Sequence, residues 1–69
     1  MKGHAIISAA KFASLSPFWR GWAVYMAGAR KDQPNIPNER NPYPPRSRKA
    51  NEWLRGGTVA MQEVVDGEE

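Results

Sequence analysis

Five of the six prolines in this 69-residue chain fall between residues 31 and 46, at Pro34, Pro37, Pro42, Pro44 and Pro45. Proline lacks the amide hydrogen that helices and sheets require, and it pushes the preceding residue towards an extended backbone. A continuous helix or a central strand is therefore impossible across this segment. We interpret residues 31–46 as a stiff, extended connector that is long enough to let two flanking helices lie side by side.

The N-terminal side of the connector carries two helical patterns. Residues 4–15 mix small and apolar side chains of good helix propensity, so we expect an extra N-terminal helix there. Ser16 followed by Pro17 is typical of a helix start, with Ser16 as the cap. This second helix should weaken or end near Gly28, which predicts a helix over 17–29.

The C-terminal side predicts one more helix, over 47–65 and capped by Ser47, followed by an acidic tail at 66–69. Alternating apolar and polar residues, the pattern of a half-buried strand, are absent. We therefore predict an all-α fold in which residues 1–69 form one small domain. Its expected architecture is an antiparallel helical hairpin with a Pro-rich extended connector and the extra N-terminal helix.

The two main helical segments resemble each other at an offset of 35 residues. Nine-residue stretches beginning at Phe18 and at Trp53 share Arg, Gly, Val and Met at equivalent positions. Glycine within a helix lowers helix stability by about 1 kcal/mol relative to alanine. The presence of Gly21 and Gly56 therefore indicates that a side chain would not fit at these positions. We expect the two backbones to approach each other closely at these glycines.

Each main helix also carries an apolar stripe at helical spacing, and Trp22 and Trp53 on these stripes are interpreted as core. Trp22 lines up with Gly57, which suggests the hypothesis that its ring packs over the groove at Gly56 and Gly57. The stripe residues are Phe18, Trp22, Tyr25, Met26 and Ala29 in the first helix, and Ala50, Trp53, Gly57, Ala60, Met61 and Val64 in the second.

The charge distribution is strongly uneven along the chain. Residues 1–49 contain nine of the ten Lys and Arg residues against only Asp32 and Glu39, a balance of +7, whereas residues 50–69 carry −4. Such asymmetry indicates a polyanionic partner for the basic portion, with RNA as the leading candidate. The alternative is a solvated surface with an acidic tail that aids solubility.

RNA binding requires cations for the phosphates and flat surfaces for unstacked bases, and the connector supplies both. Tyr43 stands between prolines, which would present its ring to a base at little ordering cost. The alternative is that Tyr43 folds back onto the helices as a lid over the core. The predicted RNA-binding or partner-binding residues are Arg30, Lys31, Arg40, Tyr43, Arg46, Arg48 and Lys49.

Three further residues are candidates for the same interface. Trp19 lies off the main apolar stripe, so it is either exposed or covered by the N-terminal segment. Arg20 and Arg55 occupy equivalent positions in the two helices. Each either pairs with Glu52 or another acid, or contacts a phosphate.

Several function classes find no support in the sequence. The chain has no Cys and a single His, His4, so a disulfide, a thiolate metal site or a Cys nucleophile is excluded. Neither a membrane span nor a working signal peptide is indicated. We expect a cytoplasmic protein that is not an enzyme, with no catalytic residue, cofactor, metal or membrane partner.

The order of several short motifs carries a family resemblance over about residues 18–61. An aromatic-Arg-Gly-aromatic helix start is followed by Ala-Gly, a Pro-rich link with Asn-Pro-Tyr-Pro, and Trp-Leu-Arg-Gly. This resembles the ribosome modulation factor family, with Asn41 in place of the usual Cys and Gly57 in place of the second Trp. The matching positions are Arg20, Gly21, Trp22, Gly28, Pro42, Tyr43, Trp53, Leu54 and Gly56.

The resemblance implies a two-helix protein that binds ribosomal RNA of the small subunit near its 3′ end. Members of this family promote dimerised, translationally inactive ribosomes, a state called ribosome hibernation. The alternative is a small helical interaction protein, of the kind phages encode, that binds and inhibits a host protein or nucleic-acid-handling complex. Homodimerisation is open in both cases.

Overall fold

The computed structural model describes residues 6–67, which form three α-helices and no strand. Helix α1 is Ala9–Ala13, helix α2 is Pro17–Arg30 and helix α3 is Arg48–Gly67. Residues 31–47 contain neither helix nor strand, as their prolines require. The predicted all-α class is therefore confirmed for the described part of the chain.

The N-terminal helix is shorter than the predicted span of 4–15, of which residues 4 and 5 lie outside the described residues. Helix α1 begins after Ser8, whose hydroxyl accepts a hydrogen bond from the Lys11 amide at 3.0 Å. It ends at Ser14, whose hydroxyl donates back to the Lys11 carbonyl at 2.8 Å. Serine side chains at both ends therefore form hydrogen bonds with backbone groups that would be paired within the helix if it were longer.

Helix α2 begins at Pro17 with Ser16 at its N-cap position, as predicted, and ends at Arg30, one residue past the predicted end. Ser16 has an extended backbone, but its side chain makes no capping hydrogen bond. Gly28 lies within the last turn, and Lys31 is the C-cap residue. Lys31 adopts the left-handed conformation (φ 58°) and donates its amide to the Ala27 carbonyl at 2.8 Å.

Helix α3 has the predicted cap, since the Ser47 hydroxyl accepts a hydrogen bond from the Ala50 amide at 3.1 Å. The helix continues two residues past the predicted end, to Gly67. A side-chain hydrogen bond from Gln62 to Asp66 at 3.2 Å supports this last turn. The rest of the predicted acidic tail, residues 68–69, lies outside the described residues.

Helices α2 and α3 touch each other through glycine, as expected. A β-carbon on Gly21 would overlap the carbonyl group of Trp53, and one on Gly56 would overlap the carbonyl of Phe18. The two main chains are therefore in direct contact where no side chain separates them. The antiparallel direction of the pair stays a prediction.

The central hydrophobic cluster draws on α1, α2 and the connector. Ile36 is the member that the helical stripes did not predict, because it lies among the prolines. Trp22 and Trp53 are half-buried and pack against the edge of this cluster. The buried members are Phe12, Ala23, Val24, Ala27 and Ile36.

Helices α2 and α3 meet over a narrower face than their apolar stripes, and the packing hypothesis for Trp22 was wrong. Tyr25, Ala29 and Met61 on the stripes are exposed, whereas Ala60 is fully buried. Gly57 is not covered by Trp22, since a β-carbon there would meet only the Gly21 carbonyl oxygen, at 3.8 Å. The Trp22 indole instead donates to Glu63 at 3.3 Å.

No helix within residues 6–67 has both the length and the apolar character of a membrane-spanning segment.

Candidate nucleic-acid interface on the connector and helix ends

A bidentate ion pair fastens the connector to α2. The Arg20 guanidinium donates from Nε to Glu39 Oε2 at 2.8 Å and from Nη2 to Glu39 Oε1 at 2.9 Å. The Trp53 indole on α3 donates to the same carboxylate at 3.4 Å. Arg20 therefore binds an acid, as one of the two predicted alternatives required, although that acid is Glu39 and not Glu52.

The environment of this pair favours both charged forms. Hydrogen bonding from Arg20 holds the pKa of Glu39 below its ordinary value of 4.5, against a smaller opposing effect of burial. Hydrogen bonding to Glu39 likewise raises the pKa of Arg20. The side chains are only 24% and 16% exposed, so the pair is a structural clamp and offers no free cation to phosphate.

Asn41 makes a second attachment, between the connector and α3. Its side-chain amide donates to the Ala50 carbonyl at 3.0 Å, and its side-chain oxygen accepts from the Tyr43 amide at 3.1 Å. Asn41 thus satisfies two backbone groups at once. A cysteine, the usual residue of the resembled family here, is a weak donor and acceptor and would not replace both bonds.

Tyr43 is half-buried, and its hydroxyl contributes to the raised pKa of Arg20. The ring therefore belongs to the packed connector, which favours the lid alternative over a freely presented stacking platform. Trp19 provides the more open aromatic surface, with 52% of the residue exposed. Edge-on contacts with Phe18 and Trp22, at ring distances of 5.1 and 5.6 Å, hold it in place.

Six predicted cations remain accessible and form no ion pair within the described range. They lie at the C-terminal end of α2, in the connector, and at the start of α3. These are Arg30, Lys31, Arg40, Arg46, Arg48 and Lys49. Arg55 differs from them, because its guanidinium pairs with Glu52 at 3.2 Å on the exposed surface of α3.

Two of these cations occupy backbone positions that normally favour glycine. Lys31 (φ 58°) and Arg46 (φ 68°) are the only non-glycine residues between 6 and 67 with positive φ. Arg46 lies in a turn closed by the Ser47 amide on the Pro44 carbonyl at 3.2 Å. A side chain in the left-handed region costs of order 1 kcal/mol, so each of these cations occupies a position where glycine would strain the backbone less.

The start of α3 concentrates positive charge where a helix disfavours it. Arg48 and Lys49 lie in its first turn, which contains no acidic residue. The N-terminus of a helix carries a partial positive charge, so it repels these two cations. An anion bound at this end of the helix would offset that repulsion. Arg46 immediately before the cap adds a third positive charge to the same end.

The sequence missed the role of Glu39, the feature that removes Arg20 from the interface. The available signal was that Asp32 and Glu39 are the only acids in the connector sequence, but periodicity gives no information about contacts across irregular chain. Within the described range, no group of three or more His, Cys, Asp or Glu side chains is placed to hold a metal ion. Comparison with protein-family models, curated proteins and solved structures gives no match.

Proposed function

We propose that this chain is a ribosome-modulation-factor-like protein that binds ribosomal RNA of the small ribosomal subunit and inhibits translation, without catalysing a reaction. The observation that carries the proposal is the set of six accessible cations on the connector and the adjoining helix ends that have no ion-pair partner among residues 6–67. In the same region the acid Glu39 is already neutralised by Arg20. The net field of this surface is therefore positive and available to phosphate.

The frame and the binding surface belong to different residues in this proposal. Arg20, Gly21 and Gly56, which match the resembled family, maintain the frame, because they make the ion pair with Glu39 and the close helix contact. The six cations on the connector and the adjoining helix ends, which are not among the matching positions, supply the binding surface. Maintaining the frame keeps the cations in fixed positions, which lowers the ordering cost of binding.

Cosedimentation with small ribosomal subunits tests the proposal directly. We expect the wild-type chain to comigrate with small-subunit particles in a sucrose gradient of expressing cells and to increase the ribosome-dimer fraction. The triple variant R46E/R48E/K49E should lose comigration. Among single variants, Arg46→Glu should weaken binding. Lys11→Glu makes the same charge change on exposed α1 and should leave binding intact. Full binding by the triple variant would refute the site.

Arg46→Gly separates binding from stability. Glycine relieves the left-handed backbone at this position, so the folded state should be unchanged or more stable by up to about 1 kcal/mol. Affinity for isolated small subunits should nevertheless fall, because a phosphate contact is lost. Reduced stability together with unchanged affinity would contradict the assignment of Arg46 to the interface.

Salt dependence distinguishes RNA from a protein partner, the alternative function. Six phosphate contacts should weaken binding by about 10³-fold or more between 50 and 200 mM salt. A partner bound mainly through apolar contacts should respond much less steeply. We expect the steep response, with a smaller slope for the triple variant.

A further inference from the structure

An apolar stripe runs along an exposed face of α3, beside its contact with α2. Leu54, Met61 and Val65 are 54%, 42% and 54% exposed, and exposed Thr58 completes the row. Thr58 donates its hydroxyl to the Leu54 carbonyl at 3.0 Å, so it brings no unsatisfied polar group to the stripe. The spacing of four, three and four residues is that of a helix-pairing seam.

Leu54, Thr58 and Met61 of this stripe form one wall of an open groove of about 620 Å³ between α2 and α3. Tyr25 and Gly28 on α2 contribute to the opposite wall, and both are exposed. A β-carbon on Gly28 would meet nothing within 4 Å, so this wall leaves room for a further helix. A groove of this kind suits the apolar face of an amphipathic helix.

The charge along α3 indicates which helix fits the groove. Its first half carries Arg48, Lys49 and Arg55 against Glu52, whereas its second half carries only Glu63 and Asp66 among the described residues. Two such helices placed antiparallel bring the basic half of each beside the acidic half of the other. Their helix dipoles are then also opposed, which is the favourable arrangement.

We propose that this surface binds a second copy of the chain, with α3 antiparallel to α3 across a twofold axis. The stripe is self-complementary in that arrangement, with Leu54 facing Val65 of the second copy and Thr58 facing its Met61. Arg55 then lies beside Asp66 of the second copy. The interface is isologous, so every contact occurs twice.

The small size of the chain favours a groove that is filled by a second copy over a groove that stays exposed to water. A domain of this length buries only about 60% of the surface that its unfolded chain exposes, so its own core is small. Pairing α3 would remove three large apolar side chains per chain from water. The interface uses α3 and the α2 groove wall, so four of the six cations of the proposed RNA surface, Arg30, Lys31, Arg40 and Arg46, lie outside it.

Sedimentation of the purified full-length chain, free of RNA, tests the proposal independently of ribosome binding. We expect a concentration-dependent monomer–dimer equilibrium. The variant L54K/M61K should remain folded by circular dichroism and be at least tenfold weaker in dimerisation. Val59→Lys removes an exposed apolar residue on another face of α3, so this variant should dimerise as the wild type does. A wild-type chain that is monomeric at every concentration, or a dimer that L54K/M61K does not weaken, overturns the proposal.

Disulfide trapping tests whether the two α3 helices are antiparallel. The chain has no native cysteine, so only the introduced cysteines can form a disulfide. An oxidised equimolar mixture of Leu54→Cys and Val65→Cys chains should give mainly the mixed disulfide by mass spectrometry. Predominance of the two homodisulfides would show a parallel pair and overturn the proposed arrangement.

Charge exchange gives a second readout that does not alter the apolar stripe. Arg55→Asp and Asp66→Arg should each weaken the dimer, and R55D/D66R should restore it, because each copy again offers opposite charges to the other. Failure of the double variant to recover affinity would count against the register. Dimerisation that appears only when small subunits or RNA are added would assign the groove to another partner and overturn the second copy as its occupant.

Discussion

Gly21 lies so close to Trp53 that a β-carbon on the glycine would overlap the Trp53 carbonyl group. Gly56 stands in the same relation to Phe18 on the other helix. The obstructing atoms are main-chain atoms in both cases, and a change of side-chain rotamer does not move them. The contact between α2 and α3 therefore requires glycine at both positions, and each glycine offsets its low helix propensity by allowing the approach.

The first prediction concerns these glycines. Gly21→Ala and Gly56→Ala should each lower the free energy of unfolding by about 1–3 kcal/mol, the usual cost of overpacking, despite the gain in helix propensity. Gly28→Ala is the matched control, since a β-carbon there meets nothing within 4 Å. It should stabilise the chain by about 0.5–1 kcal/mol. Urea unfolding measures all three, and equal effects at Gly21 and Gly28 would show that the helices are further apart.

The second prediction follows from the lowered pKa of Glu39. A carboxyl whose pKa is lower in the folded state than in the unfolded chain contributes stability that is complete above the unfolded value, here 4.5. That contribution is lost as the pH falls through the folded pKa. We therefore expect the contribution of this pair to the free energy of unfolding to be constant near neutral pH and to decline below about pH 4.5.

Glu39→Gln isolates this contribution from other carboxyl groups. The variant keeps a hydrogen-bonding side chain but loses the charge, so at pH 7 it should be less stable than wild type by about 1–3 kcal/mol. The difference should shrink as the pH falls from 4.5 through the lowered pKa of wild-type Glu39. A difference that stays the same down to the pH of acid unfolding would mean that the ion pair does not form in solution.

The parts of this fold that follow from local rules were predictable. Five prolines dictated an irregular connector, and Ser47 and Pro17 marked two helix starts correctly, because capping and proline geometry depend only on neighbouring residues. Gly21 and Gly56 were recognised because an interior glycine disfavours a helix unless space is needed. These features require no knowledge of contacts between distant residues.

The features that were missed all depend on contacts across irregular chain. Ile36 enters the core from among the prolines, and Glu39 takes Arg20 out of the candidate RNA surface. Neither has a periodic signature. Tyr25 and Met61 lie on the apolar stripes and yet are exposed, because periodicity gives the direction of an apolar face but does not say how much of it a partner helix covers.

The third prediction concerns Asn41, which bonds both the Ala50 carbonyl and the Tyr43 amide. Asn41→Ala should lower the free energy of unfolding by about 1–2 kcal/mol, because two partly buried backbone groups lose their partners. Asn38→Ala is the control in the same connector, because Asn38 is exposed and its side chain makes no hydrogen bond to another described residue. Thermal unfolding should separate the two variants by several degrees. Asn41→Cys should behave like Asn41→Ala.

The last prediction compares two serines that precede helices. The Ser47 hydroxyl accepts the Ala50 amide at 3.1 Å and donates to the Pro44 carbonyl at 2.7 Å, whereas the Ser16 side chain makes no capping bond. Ser47→Ala should therefore destabilise the chain by about 1 kcal/mol, and Ser16→Ala should change stability by less than about 0.5 kcal/mol. Because Ser47 also closes the turn that holds Arg46, its loss should weaken small-subunit binding as well. Urea unfolding and cosedimentation of the same two variants measure both effects, and equal behaviour of the two serines would show that the cap does not stabilise this end of α3.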